Sequence, residues 1–86
     1  MLKIYGSMMC PDCVACRKDL DEAGIAYEYL DFAEDLRNLK AFLALRDQET
    51  AFEQVRAEGK IGIPCILRED GTVTLQWSEY VGQAKA

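Results

Sequence analysis

The stretch MMCPDCVACRK, residues 8 to 18, contains three of the four cysteines of this 86-residue chain. It follows a short apolar run, LKIY (2–5), which is rich in β-forming residues and is closed by a glycine and a serine. Pro11 suits the first position of a helix. Apolar residues then recur at intervals of three and four up to Ala23, and Gly24 suits the C-terminal cap. The pattern therefore predicts a buried strand followed by a helix.

Beyond this unit the pattern predicts further alternation of strands and helices. IAYEYLDF (25–32) is aromatic-rich and alternates, as expected for a second strand that a helical crossover makes parallel to the first. An apolar stripe then predicts a long helix, with a break near Asp47 and a second, shorter helix that ends at Gly59. IPCIL (63–67) and TVTLQW (72–77) flank the turn signal EDG and predict an antiparallel hairpin.

These elements predict one domain over residues 1–86, of the α/β class. A four-stranded mixed sheet is flanked by helices, and an extra helix precedes Ile63 and Pro64. The C-terminal SEYVGQAKA predicts a short last helix. Arg46 and Asp47, at the break between the two middle helices, could line the pocket, but the expectation is that they are solvated charges at a helix end.

Composition narrows the class of function. Half of the residues are apolar, 29% are charged, and the formal net charge is −5, which indicates a soluble globular domain. Such an acidic chain lacks the clustered Lys and Arg that nucleic-acid phosphates and anionic membranes attract. The N-terminal MLKIYGS is too short and mixed for a signal peptide, and no apolar run approaches the roughly 20 residues that span a bilayer. We expect a cytoplasmic protein, in a compartment that keeps thiols reduced, with no nucleic-acid or membrane partner.

Cys10 and Cys13 form the candidate catalytic pair. Cys10 lies in the loop that leaves the first strand, at a predicted helix N-terminus, where unpaired N–H groups and about half a positive charge stabilise a thiolate. Cys13 is one helical turn further on and can resolve a mixed disulfide formed by Cys10. The absence of histidine removes Cys–His acyl-transfer chemistry. The spacing predicts a thiol–disulfide oxidoreductase with a dithiol mechanism.

The other two cysteines leave an alternative open. Cys16 lies on the apolar helix face, and Cys65 lies in the third strand, where alternation directs its side chain away from the pocket into the core. We expect both to be buried, and both are candidates for auxiliary thiols. If Cys10, Cys13, Cys16 and Cys65 came together, they would supply the four thiolates that a structural zinc ion or an iron–sulfur cluster requires. A metal or iron–sulfur protein is therefore the alternative prediction.

CPDC after the first strand and GIPCI (62–66) together resemble the active-site motifs of the glutaredoxins, within the thioredoxin superfamily. The order of elements is similar to that family over essentially the whole chain. The resemblance implies a thioredoxin-like fold, with Cys10 as the nucleophile and Cys13 as the resolving thiol. It also implies a substrate-binding region made of Pro11, Asp12, Ile63 and Pro64. The peptide bond between Ile63 and Pro64 is expected to be cis.

The chain departs from the family pattern at the positions that hold glutathione. Glutaredoxins carry Lys or Arg three residues before the nucleophile, where this chain has Ser7. LQWSEYVG lacks the usual glutathione-binding Gly-Gly motif, and Glu79 alone matches its acidic part. The chain is therefore identified as a glutaredoxin-related protein acting in cell redox homeostasis. The resemblance implies no bound cofactor, a disulfide-containing protein or low-molecular-weight thiol as substrate, and glutathione or a flavin-dependent reductase such as thioredoxin reductase as electron donor.

Overall fold

The chain folds into strands and helices in the predicted alternation. A computed structural model describes residues 1–85. Across these residues no helix has both the length and the apolar character needed to cross a bilayer. The strands are β1 Leu2–Gly6, β2 Tyr27–Asp31, β3 Cys65–Leu67 and β4 Val73–Thr74. The helices are α1 Pro11–Glu22, α2 Leu36–Gln48, α3 Glu53–Ala57 and α4 Trp77–Lys85, and a 3₁₀ turn at Thr50–Phe52 lies between α2 and α3.

The four strands form one mixed sheet in the order β2-β1-β3-β4. β1 pairs in parallel with β2, and Leu2 lies opposite Tyr27. β3 pairs antiparallel with both β1 and β4. The predicted α/β class, the four-stranded mixed sheet, the parallel first pair, the C-terminal hairpin and the extra helix before residue 63 are all confirmed.

The sheet separates two apolar layers. Side chains alternate across a strand, so Ile4 and its partner Ile66 face α1 and α4, whereas Tyr5 and its partner Cys65 face α2 and the 3₁₀ turn. The first layer contains the buried residues Leu2, Ile4, Cys16, Leu20, Ile66 and Val81. The second contains Tyr5, Phe42, Phe52 and Cys65, with the rings of Phe42 and Phe52 in edge contact at 5.6 Å between centroids.

All three later strands are shorter than predicted: β2 spans Tyr27–Asp31 instead of 25–32, β3 spans Cys65–Leu67 instead of 63–67, and β4 spans Val73–Thr74 instead of 72–77. β4 was expected to run through Trp77, but only Val73 and Thr74 pair with β3. The Thr74 hydroxyl accepts a hydrogen bond from the Gln76 amide at 3.1 Å and turns the chain. Trp77 instead starts α4, and its indole N–H donates to Asp19 of α1 at 3.2 Å. The predicted last helix is confirmed with this earlier start, and residue 86 lies outside the described residues.

Candidate functional site

The loop before α1 holds Cys10 at the helix N-terminus. Ser7 shapes this loop twice: its carbonyl accepts from the Cys10 amide at 3.0 Å, and its hydroxyl accepts from the Met9 amide at 3.2 Å. Cys10 is the N-cap residue, with extended backbone angles, and its carbonyl accepts from the Val14 amide at 3.2 Å. Its side chain is half-buried. The Cys10 side chain is therefore partly open to solvent at the N-terminal end of α1, where the N–H groups of the first turn point toward an incoming negative charge.

Cys13 lies one turn further along α1 and is fully buried. Burial raises the pKa of the Cys13 thiol to about 12, the backbone of Ser7 opposes that shift, and the adjoining Cys10 thiol adds to it. The two sulfurs thus lie close together in unlike surroundings. Cys10 meets solvent at a helix end, whereas Cys13 stays a neutral thiol in the interior, so only Cys10 is placed to attack an external disulfide.

Gly6, the last residue of β1, leaves the space that the Cys13 side chain needs. A methyl group on Gly6 would lie 2.7 Å from the Cys13 sulfur and 3.0 Å from the Tyr29 hydroxyl oxygen. Real side-chain carbons do not approach a sulfur that closely, so glycine is required here for packing. The sequence pattern predicts only that Gly6 ends a strand.

Ile63 and Pro64 precede β3, and the peptide bond between them is cis, as the resemblance implied. A groove of about 520 Å³ runs past these two residues. Asp12 of α1 and Trp77 of α4 line it as well, so the groove extends from the first turn of the cysteine helix to the hairpin. Of the predicted substrate-binding residues, Asp12, Ile63 and Pro64 are brought together in this groove, while Pro11 is exposed at the first position of α1.

A second groove, of about 460 Å³, lies on the other side of Ile63 and is mainly apolar. Ser7 borders it, and Leu43 and Ile61 contribute exposed apolar surface. Ser7 of the loop therefore borders the second groove, and Asp12 in the first turn of α1 borders the first. An extended chain lying across Ile63 would contact both grooves.

The segment leading to Ile63 is held by Arg46. Its guanidinium donates to the carbonyls of Ile61, at 3.0 Å, and of Lys60, at 2.7 Å. The carbonyl of Arg46 itself accepts from the Arg56 guanidinium, which ties α3 to the end of α2. Arg46 does lie half-exposed in the last turn of α2, and Asp47 is exposed, as predicted. In addition, the Arg46 side chain anchors the loop that carries the cis peptide bond and lines the second groove.

The four cysteines do not form one cluster. Cys16 lies in the layer under α1 and α4, and Cys65 lies in the layer on the opposite face of the sheet. Burial raises the pKa of each of these two thiols to about 12. The prediction that both are buried core residues is confirmed. Among residues 1–85 no three His, Cys, Asp or Glu side chains are grouped to hold a metal ion, and the four-thiol site of the alternative prediction is not assembled.

One residue of the site had no functional role in the sequence analysis. Tyr29 of β2 points toward α1, and the Arg17 guanidinium carbon lies 4.3 Å from the centroid of its ring. Its hydroxyl is buried and borders the same small space as the Cys13 sulfur. The alternation of IAYEYLDF assigns each side chain, including Tyr29, to one face of the strand, but it does not predict what that face contacts. Only the pairing of β2 with β1 brings that face next to Cys13.

A curated protein of Haemophilus influenzae is 37% identical to this chain over 76 residues, which are 88% of each of the two proteins. The chain belongs to the same family as that protein. The relative is described as an uncharacterized protein, so membership of this family carries no activity with it. No family model and no solved structure matches the chain. The chemistry of this chain is therefore inferred from its own cysteine site.

Proposed function

We propose that this protein is a glutaredoxin-like thiol–disulfide oxidoreductase of the cytosol, with a thioredoxin-like fold. The observation that carries the proposal is the pairing of a half-buried Cys10 at the N-terminus of α1 with a buried Cys13 that adjoins it one turn later. The mixed sheet and the cis bond before β3 support the assignment of the fold. The groove that joins Asp12 to Pro64 supplies a binding region beside the dithiol.

The proposed reaction transfers two electrons from the dithiol to a substrate disulfide, RS–SR′. The Cys10 thiolate attacks one sulfur, so that a Cys10–SR bond forms and R′S⁻ leaves and takes up a proton. The Cys13 thiol then loses its proton and attacks the Cys10 sulfur. The Cys10–Cys13 disulfide forms, and RS⁻ leaves with the released proton as RSH. Glutathione or a flavin-dependent reductase such as thioredoxin reductase restores the dithiol.

The two grooves support a choice of substrate class. A disulfide-containing protein can place extended chain across Ile63 and contact both grooves at once. A low-molecular-weight thiol would fill only the groove between Asp12 and Trp77. Since Ser7 replaces the basic residue of ordinary glutaredoxins and the Gly-Gly motif is absent, a protein disulfide is the favoured substrate.

A redox titration of anaerobically purified protein in glutathione buffers tests the proposal. With thiol trapping and mass mapping, we expect a two-electron transition at Cys10–Cys13 between about −180 and −270 mV. Cys13→Ser should accumulate a mixed disulfide at Cys10, and Cys65→Ala, in the layer on the other face of the sheet, should leave the transition in place. A Cys10 thiol that is trapped only after a chelator is added would contradict the proposal and indicate a metal site.

A further inference from the structure

The Tyr29 hydroxyl is a buried polar group without a partner. It is the one side-chain oxygen or nitrogen in the described part of the chain that is both fully buried and free of any hydrogen bond. Leaving such a group unpaired is unfavourable, and in native proteins it calls for a specific explanation. A methyl group on Gly6 would meet the Cys13 sulfur and this hydroxyl oxygen at 2.7 and 3.0 Å, so the sulfur is the reactive atom beside it.

We infer that Tyr29 is the hydrogen-bond donor that stabilises the Cys13 thiolate while this sulfur resolves the mixed disulfide, an inference that rests on the proposed function. In the resting reduced protein Cys13 is a neutral thiol, and the Tyr29 hydroxyl makes no hydrogen bond to it. Negative charge develops on the sulfur only as its proton leaves. A donor already located beside that sulfur can form a charge-assisted hydrogen bond at that moment, in surroundings that exclude water.

The pKa values of the pair agree with this division of roles. Burial raises the pKa of Cys13 to about 12, and the Tyr29 hydroxyl acts against that shift. Burial, first of all, also raises the pKa of Tyr29, so its O–H proton is retained throughout. Tyr29 therefore donates a hydrogen bond and does not act as the base. The Cys13 proton goes to the departing thiolate RS⁻, which leaves as RSH.

The surroundings of Tyr29 favour donation. The Arg17 guanidinium lies 4.3 Å from its ring centroid and is itself held by the Tyr27 hydroxyl, at 3.3 Å, and by the Met8 sulfur, at 3.2 Å. A cation over the ring withdraws electron density and makes the O–H a better donor. The other charged group that acts on Tyr29 is Asp31, on the same strand, which opposes ionisation of the hydroxyl and so preserves its proton.

The sulfur has few other means of stabilisation. Besides Tyr29, the groups that act on Cys13 are the Cys10 thiol, which opposes its ionisation, and the backbone of Ser7, which favours it. Cys16, three residues along α1, is a buried neutral thiol. Loss of the Tyr29 hydroxyl would therefore remove one of two groups that favour the Cys13 thiolate.

Tyr29→Phe tests the inference, with Tyr80→Phe in α4 as the matched control. Tyr80 has the Arg68 guanidinium 5.5 Å from its ring centroid and lines neither of the two grooves beside Ile63. Each reduced protein is mixed with the aromatic disulfide of thionitrobenzoate, whose release is followed by absorbance. The first equivalent reports attack by Cys10, and the second reports resolution by Cys13.

We expect Tyr29→Phe to slow the second release by about 10- to 100-fold, the worth of a hydrogen bond to a charged group. The first release should keep its rate. The reduction potential at neutral pH should also stay unchanged, because Cys13 is a neutral thiol in the reduced form and part of the disulfide in the oxidised form. Tyr80→Phe should match the wild-type protein in all three measurements.

Three results separate the possible failures. A second release that keeps its wild-type rate in Tyr29→Phe overturns the inference and leaves the proposed function intact. A lowered first release or an altered potential assigns Tyr29 a purely structural role and also overturns it. Failure of the wild-type protein to give any second release, as expected of Cys13→Ser, would overturn the proposed function itself.

Discussion

Gly6→Ala should destabilise the protein through contact with the buried thiol. The added methyl carbon would lie 2.7 Å from the Cys13 sulfur and 3.0 Å from the Tyr29 oxygen, closer than packed atoms allow. Neither neighbour can withdraw into solvent, since Cys13 is fully buried and the Tyr29 hydroxyl is buried as well. Overpacking a core by one methyl group costs about 1 to 3 kcal/mol. For a domain of this size, a loss of about 2 kcal/mol lowers the unfolding midpoint by about 8 to 16 °C.

The same substitution elsewhere in the chain provides the control. Gly82 lies in α4, and a methyl group placed on it would meet no atom within 4 Å. Alanine is favoured over glycine within a helix by up to about 1 kcal/mol. Gly82→Ala should therefore raise the midpoint by a few degrees, while Gly6→Ala lowers it. Both are measured by circular dichroism during heating, with all four thiols kept reduced.

The same glycine-to-alanine change should therefore lower the unfolding midpoint at Gly6 and raise it at Gly82. Equal midpoints for Gly6→Ala and the wild-type protein would show that the Cys13 side chain moves aside without cost. In that case the assignment of Gly6 as the residue that makes room for the buried thiol would be wrong. A fall in midpoint for Gly82→Ala would refute the helical placement of that residue.

Two further substitutions test other contacts. Arg46→Met removes two hydrogen bonds to the loop before β3 and should reduce the free energy of unfolding by about 1 to 2 kcal/mol. The control is Arg37→Met, because the exposed Arg37 guanidinium pairs with Asp35 at the surface. In urea titrations of both variants, Arg37→Met should change the free energy of unfolding by less than about 0.5 kcal/mol. Equal losses for the two variants would refute the anchoring role of Arg46. The raised pKa values of Cys16 and Cys65, about 12 against 9.0, predict that stability is complete below about pH 9 and falls above it, because the unfolded chain releases these protons first. Each thiol contributes up to about 1.4 kcal/mol of this loss per pH unit. Cys65→Ala should therefore reduce the fall of the free energy of unfolding between about pH 9 and 10. An unchanged fall would contradict the burial of Cys65 as a neutral thiol.

Local patterns predicted most of the elements because their signals are short-range. Pro11 does begin α1, and Gly24 does follow its end with a positive φ of 70°. The apolar run LKIY (2–5) correctly predicted a buried strand, in which Leu2, Ile4 and Tyr5 are buried. The end of the last strand was misplaced, because the contact of the Trp77 indole with Asp19 joins residues 58 positions apart. No local pattern contains that pairing.

The candidate site was predicted only in part for the same reason. The Cys10–Cys13 pair follows from spacing alone, and its placement at a helix N-terminus is confirmed. The roles of Gly6 and Tyr29 depend on the parallel pairing of β1 and β2, in which Gly6 lies opposite Asp31. The anchoring role of Arg46 depends on carbonyls 14 and 15 residues away. A strand or helix pattern cannot report such contacts, because each is made between elements.

The placement of Cys16 and Cys65 on opposite faces of the sheet gives the protein two internal reporters. A membrane-permeant alkylating reagent would modify Cys16 only when α1 or α4 lifts from the sheet, and Cys65 only when α2 lifts from the other side. Pulses of such a reagent inside a living cell, read by mass, would reveal which side of the molecule opens first under oxidative or thermal stress. The wild-type chain is suited to that measurement without any added dye or tag.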